Sequence, residues 1–170
     1  MSEILGTLFK YLLALLAITA VVGILYQALG SNKVSTAVTQ LTTLQANINQ
    51  LYAGTTSGPS GLSNTTLISA AVVPTGMQTT APSTITNSWG GTVTVQPDTT
   101  LTNDVDISFG NVPQEACVKL ATALLPSMAQ ITIGSTVITA ADKTAPTSEM
   151  ATACAASASS NTLVFTFPVS

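Results

Sequence analysis

The chain has 170 residues, of which only 6% are charged, against about 25% in an ordinary soluble domain. It has no His and no Arg, and its four Lys leave a net charge of −3. This composition argues against nucleic-acid binding through counterion release, catalysis by a Ser-His-Asp triad and histidine-ligated metal. We therefore expect neither an enzyme nor a cofactor.

The first predicted element is an uncharged run of nineteen residues from Tyr11 to Leu29. As a helix it would span about 28 Å, close to the thickness of a bilayer core. The run is too long for the apolar part of a secretory signal peptide, and it lacks a preceding basic segment and a clear cleavage site. A single-pass membrane anchor remains open as an interpretation.

The apolar pattern continues beyond Leu29 on one helix face. Steps of three and four residues give an amphipathic stripe, which consists of Val34, Val38, Leu41, Leu44 (or Gln45), Ile48 and Leu51. We therefore predict one helix from about Ser2 to Tyr52, whose second half packs on a globular domain. This divides the chain into an exposed apolar helix, 1–30, and a head, 31–170, which includes the helix from about 31 to 53.

The remainder predicts a mixed α+β head. Glycines and a proline in "AGTTSGPSGLS" end the long helix. Three further helices are predicted: from about Thr65 to Val72, from about Gln114 to Leu124, and over "PTSEMATACAA" with Thr147 or Ser148 as N-cap. Strands are predicted on both sides of Gly90-Gly91 in "TITNSWGGTVTVQP", in "DVDISFGNV", in "AQITIGSTVIT" as a strand or hairpin, and in "NTLVFTFPV".

Three positions have both a functional and a structural interpretation. Asp104 and Asp106 share a strand face and could bind calcium or act as an acid and a base, but we expect a solvated strand edge. Trp89 could contact a glycan or a partner, but we expect it to pack beside the Gly90-Gly91 turn. Asn64-Thr65-Thr66 matches a glycosylation sequon, which is weak evidence by itself.

Cys117 and Cys154 are the only cysteines. An even number in a chain with a membrane-directed N-terminus suggests an oxidising compartment and one disulfide. Two unrelated buried thiols remain the alternative.

At this point the order of several motifs resembles the type IVb pilins, in particular bundle-forming pilus subunits and PilS-type conjugative pilins. "SNK" follows the apolar helix, and then come "INQLYAGTTS", "GLS", "NTTLISAAVVP", "ITNSWGG", "EACVKLATALL" and "EMATACAA". The match covers nearly the whole chain, and "ITNSWGG" together with the two cysteine contexts is its most specific part.

The resemblance implies the type IV pilin fold, in which a long N-terminal helix packs on an αβ-roll head with an antiparallel sheet. It also supports a bridge between Cys117 and Cys154, which would tie the "EACVKLA" helix to the "EMATACAA" helix. In this family the N-terminal helices bundle at the centre of a filament. Lipid and neighbouring helices offer the same water-free surroundings, so the same apolar residues would serve both states; they include Leu12, Leu15, Leu16, Val22 and Leu25.

The resemblance further implies a function. A prepilin peptidase removes a short basic leader, the new N-terminus is methylated, and the protein stays in the inner membrane until the assembly machinery adds it to an extracellular filament of identical copies. The sequence has no such leader, so we expect the mature form with Met1 first. The filament would mediate adhesion, aggregation or mating-pair contact. A minor pilin, a type II secretion pseudopilin and a membrane-anchored adhesin domain that never polymerises are alternatives.

Two charges stand out in the apolar helix. The family usually has a carboxylate near its fifth position, where this chain has Leu5, and the nearest acid is Glu3. Glu3 and Lys10 are the only charges in the first 32 residues and lie about 10 Å apart along a helix. We expect Glu3 of one subunit to meet Lys10 of a neighbour, with the amine of Met1 as a competing partner. Snorkelling of both charges to the membrane interface remains open.

Overall fold

The computed structural model describes residues 32–55, 58–80, 82–139, 146–157 and 159–169. Val34–Ser170 forms one compact unit. None of the helices in the described ranges is both long enough and apolar enough to span a bilayer. The predicted apolar run from Tyr11 to Leu29 lies outside the described residues.

Helices and strands alternate along the described chain in an α+β arrangement. The helices are α1 (32–52), α2 (Asn64–Ser69), α3 (Gln114–Leu124) and α4 (Pro146–Ala155), with a 3₁₀ turn at Leu125–Ser127. The strands are β1 (Gln78–Thr80), β2 (Thr84–Thr86), β3 (Thr92–Pro97), β4 (Asp104–Val112), β5 (Gln130–Ile133), β6 (Thr136–Thr139) and β7 (Asn161–Pro168). The predicted fold class is therefore confirmed, and the segment predicted as a strand or hairpin is a hairpin of β5 and β6.

Within the described residues, the strands form one antiparallel sheet in the order β1-β2-β3-β4-β7-β5-β6. The long strands β4 and β7 lie in its middle, with Ile107 opposite Phe165 and Phe109 opposite Leu163. All four side chains are fully buried, and the rings of Phe109 and Phe165 meet edge to face with centroids 5.9 Å apart. The residues between them point to the other face, so one face of the sheet is apolar.

Helix α1 contributes its own apolar face to the same hydrophobic core. Leu41, Leu44 and Ile48 are fully buried, as predicted, and Ala37 is buried with them. The prediction for Leu51 is wrong, because 38% of this side chain is exposed.

The last turn of α1 explains this difference. Tyr52, four residues after Ile48, packs against the core in place of Leu51. Gln40, which does not belong to the predicted apolar stripe, is also buried, with only 4% of its surface exposed. Its amide oxygen lies 3.5 Å from the hydroxyl of Ser88, which donates to it, so this oxygen has a polar partner inside the head.

Threonines cover much of the exposed face of α1. Thr39, Thr42 and Thr43 donate their hydroxyls to carbonyl groups one turn earlier in the helix, at 2.7–3.0 Å. These bonds satisfy the hydroxyls within the helix itself. The exposed face is therefore polar without being charged.

Helix α2 ends earlier than predicted. The Ser63 hydroxyl accepts a hydrogen bond from the Thr66 N–H and caps the first turn. After Ser69 the chain turns at Ala71, whose φ is +55°. The N–H groups of Ala71 and Val72 donate to the carbonyls of Ile68 and Leu67. These bonds end the helix at Ser69, three residues before the predicted Val72.

The "ITNSWGG" motif forms a tight turn between β2 and β3, organised by Asn87. The Asn87 Oδ1 atom accepts from the N–H groups of Trp89 and Gly91, both at 2.9 Å, and Nδ2 donates to the Gly110 carbonyl at 2.8 Å. Trp89 is half-buried and packs against the core, which confirms the structural expectation for it. A side chain at Gly91 would collide with the backbone carbonyl of Gly110.

We predict that Gly91→Ala destabilises the protein by about 1–3 kcal/mol, because β4 must shift to make room for the added methyl group. Gly110→Ala is the matched control, since its Cβ would lie 3.4 Å from the Thr92 carbonyl, an ordinary contact. Chemical denaturation of both variants in detergent measures the difference. Equal stability of the two variants would contradict the close approach at Gly91.

Candidate functional site

A disulfide joins α3 to α4. Cys117 and Cys154 are bonded, with their Cα atoms 5.9 Å apart, and both residues are fully buried. The predicted pairing and the predicted pair of helices are confirmed. The bridge closes a loop of 37 positions, for which the chain-entropy model gives about 3–4 kcal/mol of stabilisation.

Packing around the bridge holds α4 against α3. Met150 on α4 is buried, and the Thr122 hydroxyl on α3 lies 3.6 Å from its sulfur. The N-cap prediction for α4 is wrong, because the helix begins at Pro146 and includes Thr147 and Ser148 in its first turn. Proline suits a first helical position, where its fixed φ is already helical and its missing N–H has no intrahelical partner.

An open groove of about 640 Å³ lies between β6 and α4. Its lining consists of Thr136, Val137, Ser148, Glu149, Thr152, Ala153 and Ala156. Glu149 is the single ionisable group in this lining, and the other lining residues are aliphatic or carry hydroxyl groups.

Three carboxylates meet where β3 leads into β4. Asp98 accepts three hydrogen bonds, from the N–H and hydroxyl of Thr100 and from the N–H of Leu101, and its own N–H donates to the Asp104 carbonyl at 2.8 Å. The Thr166 hydroxyl donates to Asp106 Oδ1 at 2.7 Å. The expectation of a solvated strand edge is wrong, because β4 lies between β3 and β7 and only one face of it reaches solvent.

The calcium interpretation receives no support from the arrangement. Across the ranges described, no group of three or more His, Cys, Asp or Glu side chains is positioned to hold a metal ion.

Asn64, the first residue of the sequon, has its amide fully engaged. Its Nδ2 donates to the carbonyls of Ser83 and Val93 at 3.0 and 2.7 Å, and its Oδ1 accepts from the Val95 N–H at 2.9 Å. The side-chain amide therefore joins α2 to β3, because it bonds to the backbone of Val93 and Val95. A glycan would replace one of the two Nδ2 hydrogens, so at least one of the two bonds that Nδ2 donates would have to break.

Residues 31–168 match the family model described as PilS N terminal. This chain belongs to the PilS family of type IVb pilins.

Two curated relatives carry the name major structural subunit of bundle-forming pilus. They come from Escherichia coli O127:H6 (strain E2348/69 / EPEC) and Escherichia coli O111:H-. Each is 34% identical to this pilin over 167 residues, with 88% of this chain and 86% of the relative covered.

Solved pilin structures share the fold. The crystal structure of a type IVb pilin from Salmonella typhi superposes with a TM-score of 0.64 at 29% identity. The superposition covers 79% of this pilin and 99% of the other chain. TcpA, a type IV pilin from Vibrio cholerae El Tor biotype, superposes with a TM-score of 0.55 and shows the fold alone at 15% identity. The predicted pilin fold is confirmed, and the family is one of structural subunits and not of enzymes.

The predicted assembly residues of the pilin lie outside the described residues. This holds for Met1, Glu3 and Lys10, and for the apolar helix residues Leu12, Leu15, Leu16, Val22 and Leu25. Their roles stay predictions, as does the division of the chain at residue 30.

The three carboxyl groups of this pilin, on Asp98, Asp104 and Asp106, have pKa values that are shifted in different directions by their surroundings. Burial raises the pKa of Asp106, and the nearby charges of Asp98 and Asp104 raise it further against the opposing hydrogen bond from Thr166. Burial and the charge of Asp98 likewise raise the pKa of Asp104. For Asp98, burial acts to raise the pKa, but its hydrogen bonds from Thr100, Leu101 and Asp106 outweigh burial and lower it. Asp106 therefore loses its proton at a higher pH than Asp98.

Sequence reasoning found Asp104 and Asp106 but missed Asp98, which a loop of five residues separates from β4. It also missed the half-buried Asn64, which joins α2 to β3, and the buried Gln40. The signal available for Asp98 was its position directly after a strand and before "TT", where an Asp side chain often accepts bonds from the backbone two residues on.

We predict that Asp106→Asn raises the thermal midpoint of the full chain in detergent by about 2–4 °C near neutral pH. A carboxyl with a raised pKa in the folded state stabilises the protein only below its ordinary pKa, and this stabilisation is lost as pH rises through the folded value. The asparagine keeps the protonated shape at every pH, so its advantage should vanish at about pH 3, below the ordinary pKa of Asp. Glu149→Gln, which removes an exposed charge on α4, is the control; an advantage of Asp106→Asn that persisted at acid pH would contradict this assignment.

Proposed function

We propose that this chain is the major structural subunit of a type IVb pilus. Copies of it would polymerise into a helical filament on the bacterial surface and act by polymerisation, without catalysis. The observation that carries the proposal is the match to major subunits of the bundle-forming pilus, which extends over 88% of this chain and 86% of each relative. Adhesion, aggregation and mating-pair contact are the roles proposed for the filament.

The surface chemistry of the head supports close packing of many identical copies. Only 6% of the chain is charged, and 29 of its residues are Thr, so like copies repel each other weakly. The disulfide holds α3 and α4 together without adding charge. A head of this kind can be repeated at high density along a filament.

The route to the filament is part of the same proposal. The apolar run from Tyr11 to Leu29 would keep the subunit in the inner membrane, where a prepilin peptidase and the pilus assembly machinery act on it. On assembly the same run would exchange lipid for the helices of other subunits.

We expect cells that assemble this pilus to release filaments composed mostly of this chain when they are sheared, and deletion of its gene to abolish them. Electron microscopy and mass spectrometry of the sheared fraction measure both. A trace amount in filaments of another pilin would favour a minor pilin, and a periplasmic structure without surface filaments would favour a pseudopilin. A head that stays with the cell while no filament depends on it would favour a membrane-anchored adhesin.

The axial register of the filament is proposed to depend on Glu3 and Lys10. Isolated charges among apolar helices are costly, so pairing is expected. The two residues lie seven positions apart, which puts them on nearly the same helix face and about 10 Å apart along it. This separation is too long for a bond within one helix but suits two parallel helices staggered by that distance.

We therefore predict that Glu3→Lys and Lys10→Glu each weaken or block piliation and that the double swap partly restores it. Restored piliation in the double variant is the informative result. If each substitution acted independently of the other, the double variant would assemble as poorly as the single variants or worse. The yield of sheared filaments, relative to total pilin by immunoblot, provides the measurement. Normal assembly of Lys10→Glu alone would refute the pairing.

A further inference from the structure

Strand β6 lies at one end of the sheet order, so within the described residues it has a neighbouring strand, β5, on one side only. The two strands are joined by the two-residue turn 134–135, whose glycine has a φ of +61°. Such a turn is flanked by a hydrogen-bonded pair, here Ile133 and Thr136, and bonded and non-bonded pairs alternate along an antiparallel ladder. Val137 is therefore a non-bonded partner of Thr132, and its N–H and C=O groups point away from β5.

These two backbone groups of Val137 stay open in the part of the chain that the structure describes. No hydrogen bond from another described residue reaches them. Beside them lies the open groove between β6 and α4, so α4 leaves room for a further strand at this edge. An unpaired N–H and C=O on a strand specify their own ligand, because a second extended backbone offers the matching carbonyl and amide.

The side chain of Val137 makes the same edge apolar. Among the described residues, three large apolar side chains are exposed, and Val137 is the most exposed of them, at 51%. The other two, Leu51 and Leu101, lie outside the strands. Edge strands are commonly protected by a charged side chain, a proline or a bulge. Strand β6 has none of these, because its sequence is TVIT and it pairs with β5 in unbroken register.

A second copy of β6 is the strand that fits this edge. Antiparallel pairing of Val137 with Val137 of the copy would form two hydrogen bonds, with the Cα atoms about 5.5 Å apart. The two exposed valine side chains would then cover each other on the same face of the sheet. The hairpin from Gln130 to Thr139 has no ionisable side chain, so its two copies would meet without like-charge repulsion between them.

The size of this contact determines where it can act. Strand β6 has four residues, and a contact between two such strands falls far below the roughly 1,000 Å² of a stable protein–protein interface. Single subunits would therefore not pair stably through β6. A filament repeats the edge at every subunit, and many weak contacts between two filaments add up to a stable association.

Symmetry assigns the contact to two different filaments. Subunits related by one helical operation meet through unlike surfaces, whereas pairing of β6 with β6 uses the same surface on both copies. We propose that β6 of a subunit in one filament pairs with β6 of a subunit in another, and that this pairing holds filaments together side by side. The inference rests on the proposed function, since it requires filaments.

A charge placed at Val137 tests the pairing. In Val137→Glu, like charges would lie opposite each other at every contact. We therefore expect a filament yield equal to that of the wild type, while the fraction of filaments that sediments at low speed falls about tenfold. Leu101→Glu is the matched control, because it adds the same charge at an exposed apolar position outside the strands. Unchanged sedimentation of Val137→Glu, or an equal loss in both variants, would make the proposal wrong.

A mixture of two variants tests whether the contact joins the same residue on both copies. Filaments of Val137→Lys and filaments of Val137→Glu are each expected to stay separate. An equal mixture of the two kinds of preformed filament is expected to regain low-speed sedimentation, because opposite charges then lie opposite each other. A mixture that stays separate, or Val137→Lys filaments that associate by themselves as the wild type does, would overturn self-pairing of β6.

A measurement on the wild type covers the case in which a Val137 variant forms no filaments. Laterally associated filaments are collected in the low-speed pellet, and single filaments remain in the supernatant. We expect the peptide that contains β6 to exchange its amide hydrogens for deuterium more slowly in the pellet, because the Val137 N–H is bonded there. Equal exchange in both fractions, or filaments that never associate, would overturn the inference and leave the proposed function intact. A wild type that forms no filaments would overturn both.

Discussion

The apolar stripe of α1 and the apolar face of the sheet lie in one hydrophobic core, and this mutual burial is the constraint on which the head depends. Neither surface could face water alone: full burial of a Leu, Ile or Phe side chain is worth about 1.5–3 kcal/mol. Leu41, Leu44 and Ile48 on the helix and Phe109 and Phe165 on the sheet are all completely buried. The amphipathic half of the long helix is thus part of the folded head, and the strands acquire a fixed inner face.

Uncharged amides tie the connecting segments to this core. Asn47 donates to the Val72 carbonyl at 2.7 Å, Asn64 joins α2 to β3, and Asn87 organises the turn that leads into β3. An amide offers donors and an acceptor without a net charge, so loops can be anchored while the surface stays almost neutral. This is the chemistry expected of a pilin, whose heads must lie close to identical copies.

The disulfide and the three carboxylates of Asp98, Asp104 and Asp106 depart from that neutral, amide-linked pattern. The Cys117–Cys154 bond secures α4, a short helix with two buried side chains, Met150 and Cys154, among its residues. These carboxylates instead concentrate charge on a head that otherwise has little of it. The disulfide strengthens the subunit, whereas the proximity of the carboxylates raises the pKa values of Asp104 and Asp106.

Local signals in the sequence determined most elements of this pilin. The bounds of α3, Gln114–Leu124, agree residue for residue with the prediction, because periodicity, proline and glycine act within a few residues. Each predicted strand segment was also placed correctly, but the short edge strand β1 was missed. The family and the disulfide followed from the order of motifs. Only the tertiary structure decided that Gln40 is buried, that Leu51 is not, and that Asp98 meets Asp106. Those outcomes depend on which strands pair and in which register, and pairing joins residues too far apart in sequence for any local pattern to report.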